Sequence, residues 1–416
     1  MYFIEESRWR GVSEQDEEDN FWDLPAPEIL PVREMLESLL GVNVLAPLVR
    51  CSKLPFRHLC SLYETHITHT PMILAQEFSR SQSARMSDFS TSSDERGVFW
   101  MEPKASASFS REVDENRGSN GSTSSNRGQR TYYEPGPSTR LPPMPIPPTK
   151  RSRLVRGALV AQFASPNAEH LADSAELVAR YVDGLDINCG CPQSWAYKEG
   201  VGCALLRKPE LVHDMIRQVK GRMGWNWPVS IKIRVDPELK LTDQLVKNAL
   251  AVNVSHITVH GRTRFQKSSD PVSLEGIKFA VESTSGQVPC VGNGDIWSYQ
   301  DVARMREATG VHGVMAARGL LANPALFAGY ETTPAHAVEQ FVNLSVDYGF
   351  IFPLFQRHLA YMMEAHLLRA ERTWFNSLPS TISTIDYLSG RGLNVGRAQK
   401  MSPVWDARRG RTLHSV

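Results

Sequence analysis

The sequence contains no run of about 18 consecutive apolar residues, which argues against a helix that spans a bilayer. Its first residues are acidic. A basic cluster followed by an apolar stretch, the mark of a secretory signal, is missing, so the chain reads as one that is not secreted. Cysteine is scarce, six residues in 416, too few and too scattered for a disulfide framework. Glycine is absent from Ala46–Pro55, directly after the first apolar run. An open, doubly wound dinucleotide fold carries its GxGxxG fingerprint at that place, which leaves that fold the runner-up. Net charge is also nearly absent, at +1.

That near-zero charge hides an asymmetry. Residues 1–40 hold eleven Asp or Glu and three Arg, so the remainder of the chain is basic and can tolerate a polyanion. The hydrophobic fraction of 41% and charged fraction of 22% are those of a globular protein with a sizeable core, in two or three domains. Residues 1–40 read as a flexible or peripheral acidic arm. Residues 104–153 hold nine Ser, seven Pro and only four residues from Leu, Ile, Val and Phe. Such a segment cannot bury enough apolar surface to offset its ordering entropy, and a disordered insertion is expected over about 92–155.

The rest of the chain to about Gly329 alternates short β-branched runs with amphipathic stretches. Strands are predicted at Val42–Ala46, Ile67–Thr70, Ala158–Gln162, Gly184–Asn188, Val229–Arg234, His256–His260, Val288–Gly292 and Gly313–Ala316. Helices are predicted at Pro55–Leu62, Glu169–Tyr181, Pro209–Val219, Thr242–Val252, Leu274–Ser283 and Tyr299–Thr309. Eight strands with intervening helices predict a (β/α)8 TIM barrel, a fold of about 250 residues. Residues 330–390 repeat apolar positions at helical spacing and read as a C-terminal helical domain, followed by a basic tail over 391–416.

Barrel enzymes carry their sites at the C-terminal ends of the strands, and there the chemically capable residues concentrate. Gly292-Asn293-Gly294-Asp295 and Ala316-Ala317-Arg318-Gly319 follow the last two strands. Two glycine loops with an arginine suit a phosphate, although glycines after strands are also simple turns. Lys232 lies inside an apolar strand, where a cation requires an anion. That partner is either the N1–O2 edge of a reduced flavin or a buried carboxylate. Gln162 can donate to and accept from an imide-like edge, and His260 ends its strand. Each of these alone is as readily structural. Cys189-Gly190-Cys191-Pro192 lacks the second cluster a metal would need. It reads as one working thiol on a Gly-Pro loop, competent as a general acid while it holds its proton.

The segments APLVRCSKLPFR (46–57), LDINCGCPQ (185–193), SIKIR (230–234), ITVHGRT (257–263), VGNGDI (291–296) and GVMAARGLLANP (313–324) together resemble the tRNA-dihydrouridine synthase family, in order and spacing. HLAYMMEAH (358–366) resembles that family's helical tRNA-binding domain. VRCSKLPFR (49–57) and TPMILAQEFSRSQSAR (70–85) are closest to its eukaryotic subfamily assigned to D-loop positions 20a and 20b.

The resemblance implies FMN at the barrel mouth, over Pro47, Leu48 and Val49. Gln162, Lys232 and His260 would contact it, and Asn293, Gly294, Asp295, Ala317 and Arg318 would hold its phosphate end. It implies NADPH or NADH as reductant and tRNA as substrate. Asn188 and Arg262 would bind the substrate, and Cys191 would protonate C5 of a uracil that has left its stack. It implies no metal, no membrane and no obligate protein partner, and a cytoplasmic place with the nucleus also open. Leu48 stands at the family's usual Met, Cys51 at an aromatic and Gln76 at an acid. The insertion, between strands two and three, is expected beside the mouth. Arg262, Arg264 and Lys267 are expected to meet RNA phosphates.

Two other readings share most of these residues. One is an FMN-barrel ene-type reductase of a small pyrimidine, and the other is a non-catalytic tRNA-binding protein.

Overall fold

The computed structural model describes residues 25–104 and 149–395. The acidic run Glu14–Asp19, most of the insertion and nearly all of the basic tail lie outside the described residues.

Eight parallel strands close on themselves. They are β1 (Val42–Leu45), β2 (Ile67–His69), β3 (Ala158–Ala164), β4 (Gly184–Cys189), β5 (Val229–Arg234), β6 (Ile257–His260), β7 (Cys290–Asn293) and β8 (Gly313–Ala316). Each pairs with the next, and β1 pairs with β8 in register from Val42↔Gly313 to Leu45↔Ala316, which makes the barrel. The expected (β/α)8 TIM barrel is the fold observed.

Pairing fixes which side chains point inward, because alternate residues face alternate sides. Gln162 opposes Asp186, Asn188 opposes Lys232, Arg234 opposes His260, and His260 opposes Asn293. The interior is therefore polar along β3–β7. Val42, Val44, Ala46, Ile67, Val160 and Met315 make the opposite wall and floor apolar.

Outside the strands lie α2 (Leu54–Ser61), α3 (Ala168–Val178), α4 (Pro209–Met223), α5 (Leu239–Leu250), α6 (Leu274–Ser283), α7 (Tyr299–Thr309) and α8 (Arg318–Ala322). Caps set several of their starts. Asn167 accepts from the amides of Glu169 and His170, and Ser298 with Asp301 forms a capping box. The C-terminal segment is all helical, with α9 (Ala335–Asp347), α10 (Phe352–Met362), α11 (Arg369–Asn376) and α12 (Thr381–Gly390). Its apolar core is continuous with that of the barrel. Phe56 and His358 pack with ring centroids 4.9 Å apart, and the Tyr348 hydroxyl meets His58 Nδ1 at 2.9 Å.

Two expectations are corrected at the N-terminal end of the barrel. Residues 25–40 are not all peripheral, because α1 (Val32–Ser38) plugs the barrel floor with Val32, Met35 and Leu36 fully buried. Residues near 92–104 and 149–155 are not disordered. Val98–Met101 and Arg153–Arg156 form an antiparallel hairpin, with Phe99 and Val155 buried against the same floor. Lys104 is tied to α1, its amide donating to Ser38 O at 2.7 Å and its ammonium to Leu36 O at 2.7 Å. The stems of the insertion thus stand at the end opposite the mouth. Its expected place beside the mouth is not where the chain leaves the barrel.

Candidate active site at the mouth of the barrel

A hydrogen-bonded chain climbs from the interior to the cysteine loop. Ser230 Oγ donates to Asp186 Oδ1 at 2.7 Å, and Gln162 Nε2 donates to Asp186 Oδ2 at 2.8 Å. Asn188 Nδ2 donates to Gln162 Oε1 at 2.9 Å. Asn188 Oδ1 then accepts from the amides of Gly190 at 3.1 Å and Cys191 at 2.9 Å. A carboxylate only accepts, so Asp186 fixes which end of the Gln162 amide faces it. That choice orients Asn188, and Asn188 in turn holds the Cys191 backbone. Asp186 and Gln162 are fully buried, whereas Cys191 is partly exposed.

Glycine shapes the other side of the thiol loop. Gly202 has φ +63°, and a Cβ there would lie 2.6 Å from Cys191 O. Without one, the turn can close so that the Cys203 amide donates to Cys191 O at 3.0 Å. Cys189 is buried on the outer face of β4, and burial raises its pKa well above the ordinary thiol value.

Lys232 Nζ donates to Asn293 Oδ1 at 3.0 Å, and Asn293 Nδ2 donates to Met315 O at 2.9 Å. Burial lowers the Lys232 pKa to about 8, against the pull of the Asp186 carboxylate. The same burial raises Asp186 to about 6, opposed by its hydrogen bonds from Gln162 and Ser230. Of the two partners the sequence allowed for Lys232, a buried carboxylate is near. His260 is held neutral. Burial first, then the charges of Lys232, Arg234, Arg262 and Arg318, push it to about 2.

Arg234, His260, Arg262, Asn293, Gly294, Asp295, Ala317 and Arg318 line one pocket above β6–β8. Three guanidinium groups there face a single carboxylate, Asp295, which binds both Arg262 and Arg318. This excess of donors and positive charge fits a phosphate monoester. The Asp295 side chain is committed to the two arginines, which it holds in place. Arg262 is 2% exposed and turned into this pocket, which corrects its expected place on an RNA-facing surface. Pro47 and Leu48 are partly exposed and Val49 is 58% exposed, on the loop after β1 at the same end.

Arg234 was not singled out by sequence, yet it joins the two loops beside the thiol. Its Nε donates to Gly190 O at 3.0 Å and its Nη1 to Thr263 O at 2.8 Å. Its only signal is inward register, two residues after Lys232. Asp186, likewise not singled out, stands two residues before Asn188 and is legible in the same way.

Comparison with known proteins agrees with this arrangement. The dihydrouridine synthase (Dus) family model matches residues 44–107 and 147–374. The chain belongs to the dihydrouridine synthase family. Among the relatives of this chain is a mouse protein named tRNA-dihydrouridine(20a/20b) synthase [NAD(P)+]-like, 40% identical over 357 residues, which span 86% of this chain and 90% of that one. The human protein of the same name is 39% identical over 86% of this chain and 92% of its own. The Saccharomyces cerevisiae tRNA-dihydrouridine(20a/20b) synthase [NAD(P)+] is 34% identical over 84% of this chain and 79% of its own. Among the described residues, no helix is long and apolar enough to cross a membrane.

Proposed function

We propose that this protein is an FMN-dependent tRNA-dihydrouridine synthase that reduces the C5–C6 bond of a D-loop uridine, at position 20a or 20b, using NADPH or NADH. The observation that carries the reading is the thiol of Cys191 on a loop fastened by Asn188, at the mouth of the barrel that holds Lys232 and the arginine pocket. The names of the relatives support tRNA, the 20a/20b positions and the nicotinamide.

FMN, when bound, supplies the hydride that reaches C6 of the uracil. The residues of this chain do the rest. Arg262 and Arg318, oriented by Asp295, hold the phosphate end, with Arg234 lining the same pocket. Pro47, Leu48 and Val49 would lie under the ring, and the backbone at Gly294 and Ala317 would allow close approach of the group. Lys232 would set a cation beside the ring and so favour its reduced form. Gln162, with one amide hydrogen still free, and neutral His260 supply hydrogen bonds. Asn188 and the thiol face the base, and Cys191 Sγ–H gives its proton to C5. The helical segment α9–α12 and the chain's basic surface bind the tRNA. The protein works in the cytoplasm or the nucleus.

The test is the dihydrouridine map of tRNA from cells lacking this protein. Loss confined to the D-loop 20a/20b uridines is expected. An unchanged map, or a purified protein that reduces orotate or free uridine as readily as tRNA, would overturn the reading.

A further inference from the structure

The rim beside Cys191 carries an aromatic patch that the reaction itself does not use. Trp195 and Tyr197 lie on the short helix Ser194–Lys198, directly after Cys191-Pro192, and are 44% and 41% exposed. Phe265, on the loop after β6, is 74% exposed. Arg264 joins the two segments. Its guanidinium carbon lies 3.3 Å from the Tyr197 ring centroid and 5.4 Å from that of Phe265. The loops are fixed to each other underneath by Arg234, through Gly190 O and Thr263 O. The patch is therefore a rigid extension of the thiol loop.

Its charge is as informative as its rings. Lys198 and Lys267 are exposed on the same two segments, and with Arg264 they form no ion pair among the described residues. An apolar protein surface laid on this patch would desolvate those cations without pairing them. A nucleotide satisfies both features, a base for the ring faces and a phosphate for the cations. A uridine that leaves its stack to reach the mouth also strips a neighbour of its stacking partner.

We propose that Phe265, backed by the Arg264–Tyr197 stack, is a platform on which the RNA base next to the reduced uridine stacks. The proposal rests on the reading of the substrate as tRNA. Phe265 is a positioning residue that holds the flanking nucleotide so that the uridine enters toward Cys191.

The test uses the full-length flavin-loaded enzyme and unmodified tRNA transcripts, intact or with one abasic nucleotide on either side of the target. Phe265→Ala and Phe265→Leu should weaken affinity for intact tRNA by roughly 5- to 150-fold, the range of base–aromatic stacking, and Phe265→Tyr should restore it. Flavin content verifies that each variant is folded. At one flanking position the abasic tRNA should abolish the difference between wild type and Phe265→Ala, as expected when both changes remove one contact. Equal affinity of Phe265→Ala and wild type for intact tRNA would overturn the platform, as would a penalty that persists with every abasic tRNA. A wild-type enzyme that fails on intact tRNA would instead overturn the function on which the platform rests.

Discussion

At the scale of single residues, Asp186 decides more than its burial suggests. It is the fixed acceptor from which the orientations of Gln162 and Asn188 follow, and it is the carboxylate that keeps Lys232 charged. Asp186→Asn can keep both hydrogen bonds, because Ser230 Oγ can turn to accept, but it removes the charge. Lys232 should then lose its proton at a lower pH than about 8. The Lys232 pKa lies below the ordinary lysine value, so in the wild-type enzyme the cation is present below about 8 and fades as pH rises through it. Affinity for FMN, followed by flavin fluorescence, is expected to fall across that range in wild type and across a lower range in Asp186→Asn. Coincident profiles would contradict the assignment. Asp186→Ala leaves Gln162 Nε2 without its acceptor, at a cost of about 1–3 kcal/mol, which thermal unfolding of the flavin-free protein measures. The cysteine and the lysine were legible in the sequence because each is out of place, a thiol pair in a Gly-Pro loop and a cation in an apolar strand. Asp186 was not singled out, because its one signal is its inward register, two residues before Asn188.

At the scale of elements, β5, β8, α6 and α7 stand within the limits the sequence predicts, since hydrophobic period and end signals agree there. The hairpin of Val98–Met101 with Arg153–Arg156 and the plug α1 escaped that logic. Each is a short element beside a long polar stretch, and composition averaged over the stretch hides the three buried residues of the plug and the four of the hairpin. Leu36 shows what they contribute. It is fully buried at the floor, and a Cβ at Gly313 would come 2.8 Å from its Cδ2. Leu36→Ala is expected to cost about 2–5 kcal/mol in chemical denaturation while leaving flavin content unchanged. Gly319 makes the reverse case. A Cβ there would collide with Ile296 O, so Gly319→Ala should displace the turn that carries Arg318 and lower FMN retention without lowering unfolding temperature to the same extent. Equilibrium dialysis and calorimetry separate the two outcomes.

At the scale of the whole molecule, the two ends of the barrel do different work. The floor is closed by α1 and the hairpin, and the mouth carries the thiol, the lysine and the arginine pocket. The insertion leaves from the floor, where Met101 pairs with Arg153. Replacing residues 105–148 by a short hairpin loop should therefore leave tRNA reduction within about twofold of wild type, as steady-state assays would show. A large loss would mean that the segment reaches the substrate from the far end.

The proposed reaction depends on one thiol delivering one proton at the mouth of a flavin-bearing barrel. Its most direct test is a single turnover, in which enzyme whose flavin has been reduced beforehand is mixed with unmodified tRNA and dihydrouridine formation is followed in time. Cys191→Ala is expected to slow that step at least 100-fold, the size of a general-acid contribution, while still binding tRNA and FMN. A variant that turns over at the wild-type rate, or a wild-type protein that cannot be loaded with flavin at all, would contradict it.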